Sequence, residues 1–135
     1  MSLIDLQTLP SPQEFQSDLL IVGAGIAGLV LADALRGSGR QVDVLEAGGA
    51  SLEPESQALY AAEMAATPHL GTTEGRFRVY GGSSIRWGGQ LLPLAAHDFA
   101  QRSHIPHSGW PLNPTELSLY LRQCEQLLGV NHAPY

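Results

Sequence analysis

The stretch that most restricts the fold is "DLLIVGAGIAGLVLADALRGSGRQVDVLEAGG", residues 18–49. It starts with a short, continuous apolar run from Asp18 to Val22, the pattern of a strand buried on both faces of a parallel sheet. The next six residues, Gly23–Gly28, spell G-x-G-x-x-G. Ile26, Leu29, Val30, Ala32, Ala34 and Leu35 then follow helical spacing until Gly37–Gly39 stop the helix. A second strand is expected from Gln41 to Leu45. Strand, glycine turn, helix and strand in so few residues make a βαβ unit with a right-handed crossover.

The glycines have distinct expected tasks in such a unit. Gly23 permits the tight turn, Gly25 lets the backbone approach a pyrophosphate, and Gly28 lets the helix pack closely on the strand. Backbone N–H groups along Gly23, Ala24, Gly25, Ile26, Ala27 and Gly28, with the helix dipole behind them, favour phosphate. Glu46 stands 21 residues after Gly25, at the end of the second strand and followed by Ala47. A carboxylate there accepts hydrogen bonds from ribose hydroxyls and opposes a 2′-phosphate by like charge. The bland alternatives are a glycine turn with no ligand and a solvated strand-end acid. Together the two motifs point to an adenine dinucleotide and leave NAD and FAD both open.

Downstream, "EPESQALYAAEMAA" (53–66) is expected to be helical, with Pro54 in its first turn and Leu59, Ala62 and Ala66 along one side. Residues 67–73 are expected to be loop. "RFRVY" reads as a short extended segment leading into "RVYGGSSIRWGG" (78–89), which is too glycine-rich for a regular element and too aromatic for a linker. Its paired glycines suit a backbone passing close to a flat ligand, with Arg76, Arg78 and Arg86 available to anionic oxygens. Beyond it, a loop is expected to hold a helical turn at Ala95–Phe99, with Trp110 as its packing anchor. "NPTELSLYLRQCEQLLGV" carries Asn113 as N-cap, Pro114 at N1, Glu116 at N3 and Gly129 after the end. Its apolar face, Leu117, Tyr120, Leu121, Cys124, Leu127 and Leu128, is expected to bury Cys124 as an inert thiol.

Composition narrows the classes. The 135 residues carry a net charge of −6, which disfavours nucleic acid and anionic membrane surfaces. All seven basic residues are arginine and the single cysteine excludes an internal disulfide. The N-terminus lacks the layout of a signal peptide, no apolar run is long enough for a bilayer, and the expected location is cytoplasmic.

In order and approximate spacing, "LLIVGAGIAG", "VDVLEAGG", "GRFRVYGGSSIRWGG" and "DF…SGWPL" resemble the glucose–methanol–choline oxidoreductases, FAD-dependent enzymes that oxidise alcohols and sugars. The likeness covers roughly residues 18 to 130 and is greatest to the pyranose oxidase and bacterial sugar dehydrogenase branch. The resemblance implies FAD on Gly23, Gly25 and Gly28, the adenosine ribose on Glu46, and Arg78 in the place of the family's Arg before its paired glycines. It also implies Gly81, Gly82, Ser83 and Ser84 along the pyrophosphate and flavin, with Trp87 and Gly88 beside the isoalloxazine ring. Arg86 stands where related proteins often attach flavin to a histidine, which implies non-covalent FAD.

None of His69, His97, His104, His107 and His132 matches the family's catalytic histidine, and Pro106 between the closest pair argues against a helical metal site. No catalytic or metal residue is therefore assigned. The expected fold is α/β, a Rossmann-like FAD-binding βαβ unit with a following helix and glycine-rich loop, forming an incomplete flavin domain over 18–135 after a lead-in at 1–17. The catalytic base and the substrate domain, the latter on a possible separate chain, are expected elsewhere. The alternative is a non-enzymatic dinucleotide-binding or interaction fragment.

Overall fold

The computed structural model describes residues 2–67, 69 and 74–130. It divides into two compact units, Met1–Trp87 and Gly88–Tyr135.

The first unit is built on the βαβ segment. Strand β1 (Leu19–Val22) and strand β2 (Val42–Leu45) pair in parallel, with Leu19 opposite Val42 and Val22 opposite Leu45. Helix α1 (Ile26–Ala34) connects them. The pairing is closed at its start by Gln41, whose carbonyl accepts from the Asp18 and Leu19 N–H groups. The Gln41 N–H in turn donates to the Asp18 carboxylate at 2.8 Å. At the other end the Gly23 N–H donates to the Leu45 carbonyl at 2.7 Å.

Side chains alternate across a strand, so the two faces of β1 differ. Leu19 and Ile21 are half-buried, while Leu20 and Val22 are 59% and 77% exposed. Gly28, Leu29, Ala32 and Leu35, the inner side of α1, are likewise half-buried. The opposite sheet face, with Leu20, Val22 and Leu45, stays open. A parallel sheet is ordinarily covered on both faces, so this βαβ unit buries only one of the two faces its apolar strands offer.

Helix α2 (Pro54–Ala58) is much shorter than the 53–66 helix expected from its alanines. Its last turns tighten into i→i+3 bonds, from Leu59 to Ser56, Tyr60 to Gln57 and Ala61 to Ala58. The half-buried residues here are Ser56, Gln57 and Tyr60, while Leu59 is 71% exposed. Without a packed apolar stripe, alanine propensity alone does not extend so short a helix. The loop expected at 67–73 lies mostly outside the described residues. "RFRVY" forms no strand. The one isolated bridge among the described residues is made just after it, by Gly81 with Gly25, and Gly81 then turns the chain at φ +93°.

In the second unit, α3 (Ala96–Phe99) is the expected short turn, and the Asp98 carboxylate accepts from the Ala95 N–H at 2.8 Å. The loop after it closes on itself. The Trp110 N–H donates to the Phe99 carbonyl, and the two rings meet edge to face with centroids 6.1 Å apart. Helix α4 (Pro114–Leu128) starts where its cap residues direct, the Asn113 side chain accepting from the Thr115 N–H at 2.9 Å. At its end Gly129 adopts φ +64°, the Val130 N–H reaches the Glu125 carbonyl and the Gly129 N–H reaches that of Gln126. That pair of bonds is a Schellman closure.

The inner face of α4 differs from the expected one. Leu117, Leu121, Glu125 and Leu128 face inward, with Glu125 only 4% exposed, whereas Cys124 is exposed. The leucines fit two helical phases one residue apart, and packing takes the one that turns the thiol outward. Among the described residues, no helix is long and apolar enough to cross a membrane.

Candidate dinucleotide-binding site

The glycine loop between β1 and α1 is held from below and open above. Gly23 turns at φ +101°, a conformation that side-chain-bearing residues rarely adopt. Ala24 is buried at 1% exposure, and both of its backbone groups are used. Its N–H donates to Glu46 Oε2 at 2.7 Å, and its carbonyl accepts from the Gly81 N–H at 2.9 Å. Gly25 caps α1, and a Cβ placed on it would meet nothing within 4 Å. Gly28 is the reverse case. A Cβ there would be driven into the Gly23 carbonyl and would lie 3.3 Å from Ile21 Cγ2. The motif's division between an open glycine and a packing glycine is thus present. The first bond of α1 runs from the Leu29 N–H to the Gly25 carbonyl at 3.0 Å. The N–H groups before it have no partner within the helix and form its positive end.

Glu46 ties two loops together. Oε2 takes the Ala24 N–H, and Oε1 takes the Gly48 N–H at 2.9 Å. Each carboxylate oxygen retains a further lone-pair direction, so the residue can brace the loop and still accept from a hydroxyl. Ala47 beside it is exposed.

The arm at 76–86 lies against both loops. A Cβ on Gly48 would overlap the Arg78 carbonyl, so the two backbones are in direct contact. The Tyr80 N–H donates to the Gly49 carbonyl at 3.0 Å. Val79 is 2% exposed and anchors the arm. Gly81 and Gly82, at φ +93° and +57°, bend it over the glycine loop, where a Cβ on Gly82 would lie 3.1 Å from the Gly25 Cα. A 3-10 turn, Gly82–Arg86, follows. The Ser84 hydroxyl donates to the Gly81 carbonyl at 2.6 Å, and the Ser83 hydroxyl accepts from the Phe77 N–H at 3.3 Å.

Gly23–Gly28, Glu46 and the Arg78–Ser84 segment are therefore assembled in one place. Among the described residues Arg78 Nε is buried with no hydrogen-bond partner. Arg86 lies over the Phe77 ring at 5.6 Å, Trp87 is 39% exposed, and Gly88 belongs to the second unit. His132 lies outside the described residues. Among the described residues no group of three or more His, Cys, Asp or Glu is arranged to hold a metal. The open face at Gly25, the glycine pair over it and this Arg78 nitrogen fit a dinucleotide.

Three residues of this assembly went unassigned in the sequence. Gly48 carries the contact with Arg78, and its signal was present as a second glycine pair directly after Glu46–Ala47. Gln57 and Tyr60 reach the arm from α2 and the turn after it, and nothing in their local sequence marks them.

A family model described as an NAD(P)-binding Rossmann-like domain matches residues 21–51. No curated protein and no solved structure matches the chain. The matched span runs from within β1 through the glycine loop, α1, β2 and Glu46 to just beyond Gly49. Similarity over those residues and the parallel βαβ geometry together support a small Rossmann-like unit of the dinucleotide-binding kind.

Proposed function

We propose that this chain is the FAD-binding portion of a flavin-dependent oxidoreductase of the glucose–methanol–choline type, acting on CH–OH groups of alcohols or sugars. The observation that carries the reading is the bridge between Gly25 and Gly81, which joins the two glycine-rich segments into one cradle. The NAD(P)-type likeness at 21–51 accounts for the first segment only. The second, "RVYGGSS", is what favours FAD. Bound FAD would accept a hydride from the alcohol carbon. The α1 N-terminus would face the pyrophosphate, Glu46 would hold the ribose, and Arg78 would supply positive charge beside the phosphates. Arg86 in the flavin-attachment position supports non-covalent binding. The base that takes the hydroxyl proton, and the groups that select the substrate, belong to residues other than these.

The second reading is a non-enzymatic dinucleotide-binding or interaction module. The open sheet face of Leu20, Val22 and Leu45 favours it.

The test is to add FAD, NAD and NADP separately to the full chain, remove free ligand and record a visible spectrum and a thermal shift for each. Retained yellow colour with a FAD-specific shift supports the proposal. Stabilisation by NAD or NADP and not by FAD would replace flavin with nicotinamide, and no response to any dinucleotide would leave only the interaction reading.

A further inference from the structure

Gln57 makes two hydrogen bonds that imitate a neighbouring strand. Its Nε2 donates to the Arg76 carbonyl at 2.5 Å, and its Oε1 accepts from the Arg78 N–H at 3.2 Å. One side-chain amide thus supplies the donor and acceptor that a β partner would offer to residues i and i+2. Three residues on, the Tyr60 ring lies under the side chains of the same two arginines. The guanidinium carbons are 4.5 Å and 5.4 Å from its centroid. Among the described residues neither Arg76 nor Arg78 has a carboxylate partner. The ring offers both cations a π-face without neutralising either. "RFRVY" forms no strand, so besides these contacts the arm upstream of Val79 is held by the Phe77 N–H bond to the Ser83 hydroxyl and the close approach of Arg78 to Gly48.

We propose that Gln57, with Tyr60 beneath the arginines, is a positioning residue for the dinucleotide site: it fixes the 76–82 arm so that Gly81 and Gly82 lie over Gly25. This rests on the dinucleotide reading for its purpose, though not for its mechanics. Both amide atoms of Gln57 are used on the arm. The residue acts through the register of the arm, which sets both the Gly81 bridge and the place of the Arg78 side chain.

The variants are Gln57→Ala, which removes both bonds, and Gln57→Glu, which keeps an acceptor for the Arg78 N–H and loses the donor to Arg76. The first readout is amide hydrogen exchange in the full chain without ligand, followed at Tyr80 and Gly81, whose partners are the Gly49 and Ala24 carbonyls. Exchange there should rise about tenfold in Gln57→Ala and less in Gln57→Glu, with the amides of α1 unchanged. Protection at Tyr80 and Gly81 equal to wild type in both variants overturns the positioning role. If Gln57→Ala loses protection throughout, the decision falls to Gln57→Glu, in which a selective loss at the arm supports the role and uniform behaviour rejects it.

The second readout compares FAD with adenosine, which carries the ribose that Glu46 faces and no phosphate for Arg78. FAD affinity should fall about five- to tenfold in Gln57→Ala while adenosine affinity holds within about twofold. Equal losses for both ligands reject the link to the arm. A wild-type chain that binds neither ligand refutes the proposed function, while the exchange measurement still decides the role of Gln57.

Discussion

Replacing Glu46 with glutamine tests whether the carboxylate braces the site as well as facing a ligand. The change is nearly isosteric and removes one acceptor oxygen. In the structure both oxygens are engaged, Oε2 by the Ala24 N–H at 2.7 Å and Oε1 by the Gly48 N–H at 2.9 Å. Glutamine satisfies one of these donors and sets its own NH₂ against the other. A hydrogen bond to a charged acceptor contributes about 1.5–3 kcal/mol, and a buried donor left unpaired costs about 1–3 kcal/mol. Glu46 is half-buried, so water recovers part of that loss. The expected cost is about 1.5 kcal/mol, a fall in melting temperature of about 6–12 °C for a unit of this size. Glu46→Ala should cost more, about 2–3 kcal/mol, because both donors lose their acceptor.

The assay is thermal unfolding followed by far-ultraviolet circular dichroism, with amide exchange at Ala24 and Gly48 as the local readout. Both amides should exchange faster in Glu46→Ala, and one of the two in Glu46→Gln. A Glu46→Gln protein within about 0.5 kcal/mol of wild type, with both amides still protected, would refute the brace. Glu46 would then be a ligand-facing acid alone.

Gly28→Ala should unfold the first unit or cost at least about 3 kcal/mol, because the new Cβ meets the Gly23 carbonyl and Ile21 Cγ2; circular dichroism and melting temperature report it. Gly25→Ala meets no atom within 4 Å, so its melting temperature should match wild type while dinucleotide affinity falls if the open face is where phosphates approach. Gly129→Ala forces a Cβ into the left-handed conformation at φ +64° and should destabilise α4 by about 1 kcal/mol in denaturant titration. Cys124 is exposed and should react with a thiol reagent in the native protein at a rate within about tenfold of the unfolded chain. Protection by orders of magnitude would restore the buried phase of the helix.

What could be read from the sequence follows the range of the forces involved. The G-x-G-x-x-G turn, the N-cap at Asn113 and the closure at Gly129 are decided within a few residues of themselves. Their spacing alone therefore foretold β1, α1 and both ends of α4. Gly28 was legible for the same reason, since the strand it packs on lies just ahead of it in the chain. The length of α2 was not, because alanine propensity is weak and the helix ends where its polar residues find partners at 76–78. The phase of α4 was not either. Two helical registers share the same leucines, and packing chose the one that buries Glu125 and exposes Cys124.

The site divides along the same line. Each of its glycine pairs is visible as a local oddity, but their union depends on contacts between residues 25 and 81, 48 and 78, and 57 and 76. Paired glycines announce that a backbone must come close to something. At Gly48 that something is the Arg78 backbone, and at Gly82 it is Gly25. At Gly25, as at Gly23 in the same loop, a Cβ would meet nothing within 4 Å. The glycines of the site therefore serve two ends: Gly28, Gly48 and Gly82 let the protein's own backbone segments touch, and the free side of Gly25 leaves room for a ligand.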